Sequence, residues 1–317
     1  MEIAAYLPGI YPRSEALVKL TRDLDRDRTT PGAVDEVFRA ERKGLIRLQQ
    51  DAGLDYFSDG LLRWQDIFRP LADASGGLQA RTLVRWFDNN SFYRAPHVTG
   101  PPRLEGTPGV LEEEPSPPDP RVATLPSPFL FSRAAQANGD RGGLLRGLAE
   151  DVLAPVAGDL AGRGYRLIHL QEPWLGFFGI DEGTWPAFEE GIGAIRKAAP
   201  DVTLTLHVSF GDAARHADRL RAFPVDAVGV DFVETDLGAL QGPWGTGLVV
   251  GCLDGRRSVM ETPDGTAAFV RRVAEALEPD RLYLTPNAEL ELLGADVAER
   301  KVRLLGQVAA RAKEALS

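Results

Sequence analysis

The feature that most constrains the fold of this chain is a repeated alternation between short apolar segments and longer segments with helical spacing. Short apolar segments predict buried strands, and apolar residues at a 3.6-residue period predict helices that pack on those strands. The predicted strands cover residues 3–7, 54–60, 128–132, 165–170, 202–209, 227–231, 247–253 and 282–285. The predicted helices cover residues 34–50, 143–161, 184–199, 213–222, 266–277 and 297–315.

Eight strands that alternate with helices favour an α/β fold with one closed (β/α)₈ TIM barrel over residues 1–317. Successive β–α–β units are right-handed, and a parallel sheet of this size can close on itself. An open doubly wound sheet is the alternative that the pattern leaves. The length does not force a second domain, because such barrels often exceed about 250 residues.

Two stretches interrupt the alternation. Residues 81–100 contain two extended segments around Asp88-Asn89-Asn90, which predicts a β-hairpin insertion. Residues 101–126 follow with many prolines and the acidic run Glu112–Glu114, which is typical of a long surface loop. Because the part around Glu112 has little apolar content, we expect it to be mobile without ligand, as a lid or a linker.

Composition excludes several classes of function. The net charge of −10 argues against a nucleic-acid partner, because binding to phosphates requires clustered Lys and Arg. Cys252 is the only cysteine, which excludes an intrachain disulfide and a cysteine-rich zinc site, and its apolar strand predicts a buried, inert thiol. No stretch of about 18 apolar residues occurs, so we expect a cytoplasmic protein with no membrane span.

Polar side chains follow most of the predicted strands. Because the carboxyl ends of parallel strands in a barrel face one mouth, we expect these side chains to converge there. Carboxylates gathered around one histidine could do acid/base work, orient an amine or bind a cation. Residues at these positions also cap the following helix, which is the structural alternative for each of them. The polar residues are Asp59, Ser132, Gln171, Glu172, His207, Ser209, Asp231, Asp254 and Asn287.

Six short motifs occur in an order and spacing that resemble one enzyme family. The motifs are Pro8–Arg13, Gln50–Gly60, Arg85–Asn90, Gln171–Pro173, Cys252–Arg256 and Thr285–Asn287. Together they resemble the barrel of cobalamin-independent methionine synthase, in the uroporphyrinogen decarboxylase and methionine synthase superfamily, and several are closer to that enzyme's amino-terminal barrel. The resemblance runs over nearly the whole chain and implies a TIM barrel.

The resemblance implies a zinc ion that binds homocysteine as a thiolate, which takes a methyl group from a folate-type donor. Of the family's four zinc ligands, His207 matches the histidine and Asp231 stands where the carboxylate falls. Ser209 and Ala288 replace the two cysteines, so only His207 and Asp231 remain as metal ligands if a metal binds at all. Positions that bind homocysteine have also changed, to Ile10, Leu61 and Gln171.

We therefore expect a methionine-synthase-like methyltransferase with a degenerate zinc site, acting on a small-molecule thiol such as homocysteine. It would act alone or with a zinc-bearing methionine synthase homologue. The alternatives are a zinc-free binding or companion barrel without activity of its own, and a metal-independent lyase or decarboxylase that uses the carboxylates around His207. The predicted catalytic residues are His207, Asp231 and Glu172. The predicted substrate-binding residues are Asp59, Gln171, Ser209, Asn287 and Trp86.

Overall fold

The computed structural model describes residues 1–24, 26–106, 108 and 116–316. Its main feature is a sheet of seven parallel strands in the order β1-β9-β8-β7-β6-β5-β4. Strands β2 and β3 form a separate antiparallel pair. The strands are β1 (Glu2–Ala5), β2 (Ser75–Arg85), β3 (Phe92–Leu104), β4 (Arg121–Pro126), β5 (Tyr165–Glu172), β6 (Thr203–Val208), β7 (Ala227–Asp231), β8 (Gly247–Leu253) and β9 (Arg281–Pro286).

The segment 54–58 lies between the two edge strands of this sheet. Its Asp55 amide donates to the Ala5 carbonyl at the end of β1, at 2.9 Å, and Val122 of β4 donates to Phe57 at 3.1 Å. The predicted strand 54–60 is thus reduced to a single parallel bridge at Phe57. The strand pairing ends at Phe57 because the Gln49 side-chain amide hydrogen-bonds both the N–H and the carbonyl of Ser58, so these groups do not extend the ladder.

The antiparallel pair is longer than the predicted hairpin of residues 81–100. Its arms begin at Ser75 and end at Leu104, with the turn at residues 86–91. The predicted loop 101–126 therefore includes the end of β3 and all of β4, whose Arg121–Pro126 pair with β5. Residues 109–115, where mobility was expected around Glu112, lie outside the described residues.

The prediction of a strand at residues 128–132 was wrong. These residues begin helix α4 (Pro128–Ala134), and Ser132 lies inside that helix. Ser127 caps the helix, because its hydroxyl accepts from the Leu130 amide at 3.0 Å, and Pro128 occupies the first helical position, where its fixed φ is favourable. A five-residue apolar run is compatible with a strand or a buried helix, and here the cap selects the helix.

Helices connect the parallel strands, as the alternation predicted. Of the helices in the described part of the chain, none is long and apolar enough to cross a membrane. The α-helices are α1 (Glu15–Leu24), α2 (Pro31–Asp51), α3 (Arg69–Asp73), α4, α5 (Arg141–Leu148), α6 (Ala154–Gly162), α7 (Pro173–Phe178), α8 (Trp185–Ala198), α9 (Ala217–Leu220), α10 (Pro263–Leu277) and α11 (Ala295–Leu316).

The core has two parts on opposite faces of the sheet. A large cluster joins the outer strand faces to the helices. A smaller inner cluster has Tyr6, Tyr56 and Tyr283 in edge-to-face contact at ring distances of 6.2 Å around Tyr6. Because the inner cluster draws on residues from β1, segment 54–58, β4, β5, β7, β8 and β9, the sheet curves around it.

Candidate functional site at the carboxyl ends of the strands

Two adjoining cavities lie at the carboxyl ends of the parallel strands. The outer cavity has a volume of about 350 Å³ and is bounded by the β2–β3 turn and the loops after β7, β8 and β9. The inner cavity is small, with a volume of about 20 Å³, and shares Ser91 and Glu291 with the outer cavity. Lining residues of the inner cavity include Ile10, Asp66, Trp86, Tyr93, Gln171 and Glu289.

Glu289 is the central side chain of the inner cavity. It follows β9 and is buried, and its Oε1 accepts from the Trp86 indole N–H at 3.2 Å. Its Oε2 accepts from the Gln171 side-chain amide. Burial, followed by the nearby Glu291 carboxylate, raises the Glu289 pKa to about 8. Half or more of the molecules therefore hold Glu289 protonated at pH 7.

Glu291 and Asp66 add two further carboxyl groups to the inner cavity. Burial raises the Glu291 pKa to about 7, although Arg13 opposes the shift. Burial also raises the Asp66 pKa, while Asp66 Oδ2 accepts from the Arg94 amide of β3 at 2.9 Å. The inner cavity thus has an acidic lining that can attract a cationic ligand group.

His207 lies at the end of β6, buried beside Gln171 in the sheet register. Its Nε2 has no hydrogen-bond partner among the described residues, and its ring lies against Gly229, where an added Cβ would be 2.6 Å from Cγ. Burial lowers the His207 pKa to about 4, so the imidazole is neutral at pH 7. A neutral ring that hydrogen-bonds the Val230 carbonyl keeps an acceptor at Nε2.

Two more buried polar atoms near His207 are without a hydrogen-bond partner among the described residues. These are Ser209 Oγ and Thr285 Oγ1. Thr285 pairs with Gly251, and a Cβ on Gly251 would lie 3.1 Å from His207 Nε2, so a glycine leaves room between them. Buried polar groups normally find a partner, which makes this group suited to a small polar ligand or a water molecule.

Asp231 and Asn287 form a second polar pair at the ends of β7 and β9. Asn287 Nδ2 donates to Asp231 Oδ1 at 2.9 Å. Asp231 also accepts from the amides of Phe210 at 3.0 Å, Val233 at 3.0 Å and Glu234 at 3.3 Å. Burial nevertheless raises the Asp231 pKa to about 7. Asp231 thus holds together the loops after β6 and β7.

Glu172 and Asp59 each hold a turn or helix end. Glu172 caps α7 by accepting from the Leu175 amide at 2.8 Å, and its other oxygen accepts from the Leu130 amide of α4 at 3.0 Å. Burial raises the Glu172 pKa to about 7. Asp59 accepts from the Leu61 amide at 2.9 Å, in the turn after segment 54–58. Burial, followed by the Asp59 charge, raises the pKa of Tyr165, the first residue of β5.

Comparison with known proteins identifies the family. The profile of the family described as cobalamin-independent synthase, N-terminal domain, matches residues 64–278, which is more than half of the chain. The chain belongs to the cobalamin-independent methionine synthase family. This agrees with the resemblance that the ordered motifs indicated.

Relatives in this family are similar at low identity. The methionine synthase of Sulfolobus acidocaldarius is 24% identical over 93% of this chain and 87% of its own length. The methionine synthase of Methanothermobacter marburgensis is 28% identical over 81% of this chain and 84% of its own length. A 5-methyltetrahydropteroyltriglutamate–homocysteine methyltransferase of Nitratidesulfovibrio vulgaris is 25% identical, and the match covers 88% of this chain but only 43% of that enzyme.

Solved structures support the same fold. A putative vitamin-B12-independent methionine synthase from Listeria monocytogenes superposes with a TM-score of 0.74 at 16% identity, over 98% of both chains. A B12-independent methionine synthase from Shewanella sp. W3-18-1, in complex with selenomethionine, gives a TM-score of 0.72 at 18% identity, over 91% of both chains. At these identities the likeness concerns the fold alone.

The zinc ion implied by the family resemblance does not fit the residues of this cobalamin-independent synthase domain. Among the residues that the structure describes, no group of three or more His, Cys, Asp or Glu side chains could hold a metal. The Asp231 carboxylate already accepts hydrogen bonds from four N–H donors. Ser209 supplies only a neutral hydroxyl, which is a poor zinc ligand. Cys252 lies on the far side of β8, against α10, where burial raises its pKa to about 12.

The structure brings together some of the predicted site residues and separates others. Gln171 and Trp86 meet at Glu289, while His207 and Ser209 lie deeper and Asp231 pairs with Asn287. Sequence reasoning missed Glu289, Glu291 and Asp66. For Glu289 a signal existed, because it follows Asn287 by two residues and so continues the inward-facing alternation of β9.

Proposed function

We propose that this chain takes part in methyl transfer to the thiol of a small molecule such as homocysteine, within one closed (β/α)₈ barrel over residues 1–317. Relatives named as methionine synthases and homocysteine methyltransferases support the reaction class. The hydrogen bonds from segment 54–58 to both edge strands support closure of the barrel. The methyl donor would be of the folate type, as the names of the longer relatives suggest.

The single observation that carries this proposal is the buried Glu289 carboxyl group in an acidic inner cavity. An unperturbed thiol has a pKa of about 8.5, so a carboxylate with a pKa of about 8 can accept its proton near neutral pH. His207, with a pKa of about 4, is too weak a base for this step. Glu289 is therefore the proposed general base.

The remaining side chains position the acceptor and the base. Trp86 and Gln171 each donate one hydrogen bond to Glu289, which fixes its two oxygens. Glu291 lines both cavities and would attract the ammonium group of an amino-acid acceptor held in the outer cavity, with the acceptor's thiol directed toward Glu289. The S–H bond then breaks with its proton passing to Glu289, and the thiolate forms a C–S bond to the donor's methyl group. The bond between the donor nitrogen and that methyl group breaks, its electrons stay on the nitrogen, and the nitrogen takes up a proton in place of the methyl group.

A second candidate is a zinc-free binding or companion barrel without activity of its own, which could pair with a zinc-bearing methionine synthase homologue. The observation that favours it is the incomplete set of zinc ligands. Ser209 and Ala288 stand at the positions that the resemblance gives to cysteines, and Asp231 already accepts hydrogen bonds from N–H donors. In that case the inner cavity would bind a ligand without converting it.

The test is transfer of an isotope-labelled methyl group to homocysteine, with methylfolate or methylcorrinoid donors. The wild-type protein is compared with Glu289→Gln, in the presence and absence of a zinc-bearing homologue. We expect labelled methionine from the wild type, and a decrease in kcat of about 10²-fold or more for Glu289→Gln. If the wild type forms no label with any donor, and adds none to the label that the homologue forms alone, methyl transfer is rejected and the binding or companion barrel is the remaining candidate.

Metal analysis of protein purified without chelators separates the two candidates from a classical zinc enzyme. We expect far less than one zinc per chain, because no suitable ligand group occurs in the described residues. One zinc per chain that survives dialysis would contradict the degenerate site in both candidates.

A further inference from the structure

A third cavity lies at the rim of the strand ends, apart from the two cavities of the proposed reaction site. Its volume is about 260 Å³, and the loops after β4, β5 and β6 enclose it. None of the predicted site residues lines it. Its walls include Phe129, Arg133, Phe178, Asp181, Arg215 and His216.

Two guanidinium groups from different elements face this cavity. Arg133 of α4 stacks over the rings of Phe129 at 5.9 Å and Trp174 at 5.5 Å. Arg215 follows β6 and is held by the Gly176 carbonyl at 3.3 Å. Neither forms an ion pair within the described residues, although acidic side chains outnumber basic ones in the chain. Both remain available to an anion.

The other walls define the charge and shape of a fitting ligand. Asp181 also lines the cavity, so its lining carries two guanidinium groups and one carboxylate. Asp212 and Glu182 act on His216 from outside the lining, and Glu182 is paired with Arg219. Burial and the neighbouring Arg215 lower the His216 pKa, so this ring is neutral at pH 7, and its Nε2 has no partner in the described part of the chain. A monoanion is therefore complementary to the site.

An aromatic surface continues from the cavity toward the β2–β3 turn. The Phe178 side chain is 58% exposed, and its ring lies 4.7 Å from that of Trp174 and 5.8 Å from that of Phe87, with which it stacks. The neighbouring Phe177 ring is 38% exposed and lies 4.8 Å from that of Phe178, so the rings form a contiguous exposed patch, the kind of surface that contacts ligands or partners. The cavity volume lies just below the usual range of about 300–1,000 Å³, which suits a single-ring molecule.

We propose that this cavity is a binding site for a small aromatic monocarboxylate. The ligand carboxylate pairs with Arg133 and Arg215, and its ring packs on Phe178. The site is independent of the proposed methyl transfer, since it shares no lining residue with the inner cavity.

Isothermal titration with benzoate tests the proposal. Cyclohexanecarboxylate keeps the charge without the aromatic ring, benzamide keeps the ring without the charge, and inorganic phosphate supplies an anion without a ring. We expect benzoate to bind at least about fivefold more tightly than any of the three. Equal binding of benzamide would reject the role of the arginines, and equal or tighter binding of phosphate would reject the aromatic class.

Variants locate the binding. Arg215→Gln and Arg133→Gln should each weaken benzoate binding about tenfold, since each removes one charge-assisted contact. Arg272→Gln is the matched control, because Arg272 also stacks on a ring, that of Phe269 at 5.5 Å, but lies in another cavity. Benzoate binding that changes equally in all three variants, with unaltered thermal unfolding, would overturn the assignment.

Discussion

Replacement of Glu289 by glutamine should stabilise the protein at alkaline pH while it removes the proposed base. The side chain keeps its shape, and the new amide can accept from Trp86 while Gln171 turns its own amide oxygen toward it. The glutamine has no charged state, so the variant avoids placing a negative charge in a buried cavity. Stability and catalysis should therefore change in opposite directions.

The size of the effect follows from the Glu289 pKa. Burial raises it from 4.5 to about 8 in the folded protein, so the folded state holds the proton to higher pH than the unfolded state. This contribution to stability is fully present below about pH 4.5 and is lost as the pH rises through 8. Each pKa unit corresponds to about 1.4 kcal/mol, so the wild type should lose about 2 kcal/mol from this group between pH 6.5 and 9.

Urea unfolding at several pH values between 6.5 and 9 measures this difference. We expect the free energy of unfolding of Glu289→Gln to fall by about 2 kcal/mol less over this range than that of the wild type. Glu190→Gln is the control, because Glu190 is an exposed residue of α8. Parallel curves for the wild type and Glu289→Gln would refute the claim that Glu289 holds its proton in the folded state.

Three further predictions concern residues of β7 and of the wall of the outer cavity. Asp231→Ala should lower the free energy of unfolding by about 3 kcal/mol or more in urea titration, because four N–H donors lose their acceptor, whereas unchanged stability would contradict this. Gly229→Ala should lower the free energy of unfolding by about 1–3 kcal/mol in the same assay, because the added Cβ would lie 2.6 Å from the His207 ring. Gly193→Ala should leave it unchanged, because the space around Gly193 is open. Arg256→Gln should speed hydrogen exchange in the 86–91 turn, because it removes the 2.5 Å contact with Asp88, and unaltered exchange would contradict this role.

Much of the fold could be predicted because its strands are buried on both faces. Residues 227–231 and 247–253 are apolar runs bounded by polar or glycine-rich segments, and the observed β7 and β8 have those same bounds. A parallel sheet covered by helices produces such continuous runs. Where the local pattern is unambiguous and burial is complete, sequence alone therefore defines the strand.

The strand prediction at residues 128–132 was wrong because contacts with residues distant in the sequence decide the structure there. The run at residues 128–132 forms a helix because Ser127 caps it and Glu172, from β5, accepts from its Leu130 amide. That second contact joins positions 42 residues apart, which no local pattern contains. Glu172, which was predicted to be catalytic from its place at a strand end, caps two helices in the structure, and its catalytic role stays a prediction.

The location of the site could be inferred for a similar reason, while its chemistry could not. Parallel strands bring their carboxyl ends together regardless of which residues stand there, so Gln171, His207 and Asn287 had to be near one another. The meeting of Trp86 with Glu289 is different. It requires the β2–β3 pair to fold over the strand ends, and nothing in residues 75–104 alone indicates which strand end they cover.

The proposal of a site without zinc is consistent with the raised pKa values of its carboxyl groups. A zinc ion beside Asp231 would favour its ionised form, as metal ions do for their ligands. The proposed site, with Ser209 and Ala288 at the positions that the resemblance gives to cysteines, has no such charge, and burial raises the Asp231 pKa to about 7 and the Glu289 pKa to about 8. Carboxyl groups near neutrality can exchange protons with a thiol, whereas fully ionised ones are poor bases. In the proposed reaction no Lewis acid activates the thiol, so the thiol must lose its proton to a side chain, and this is why Glu289, rather than His207, is the residue on which the proposed reaction depends.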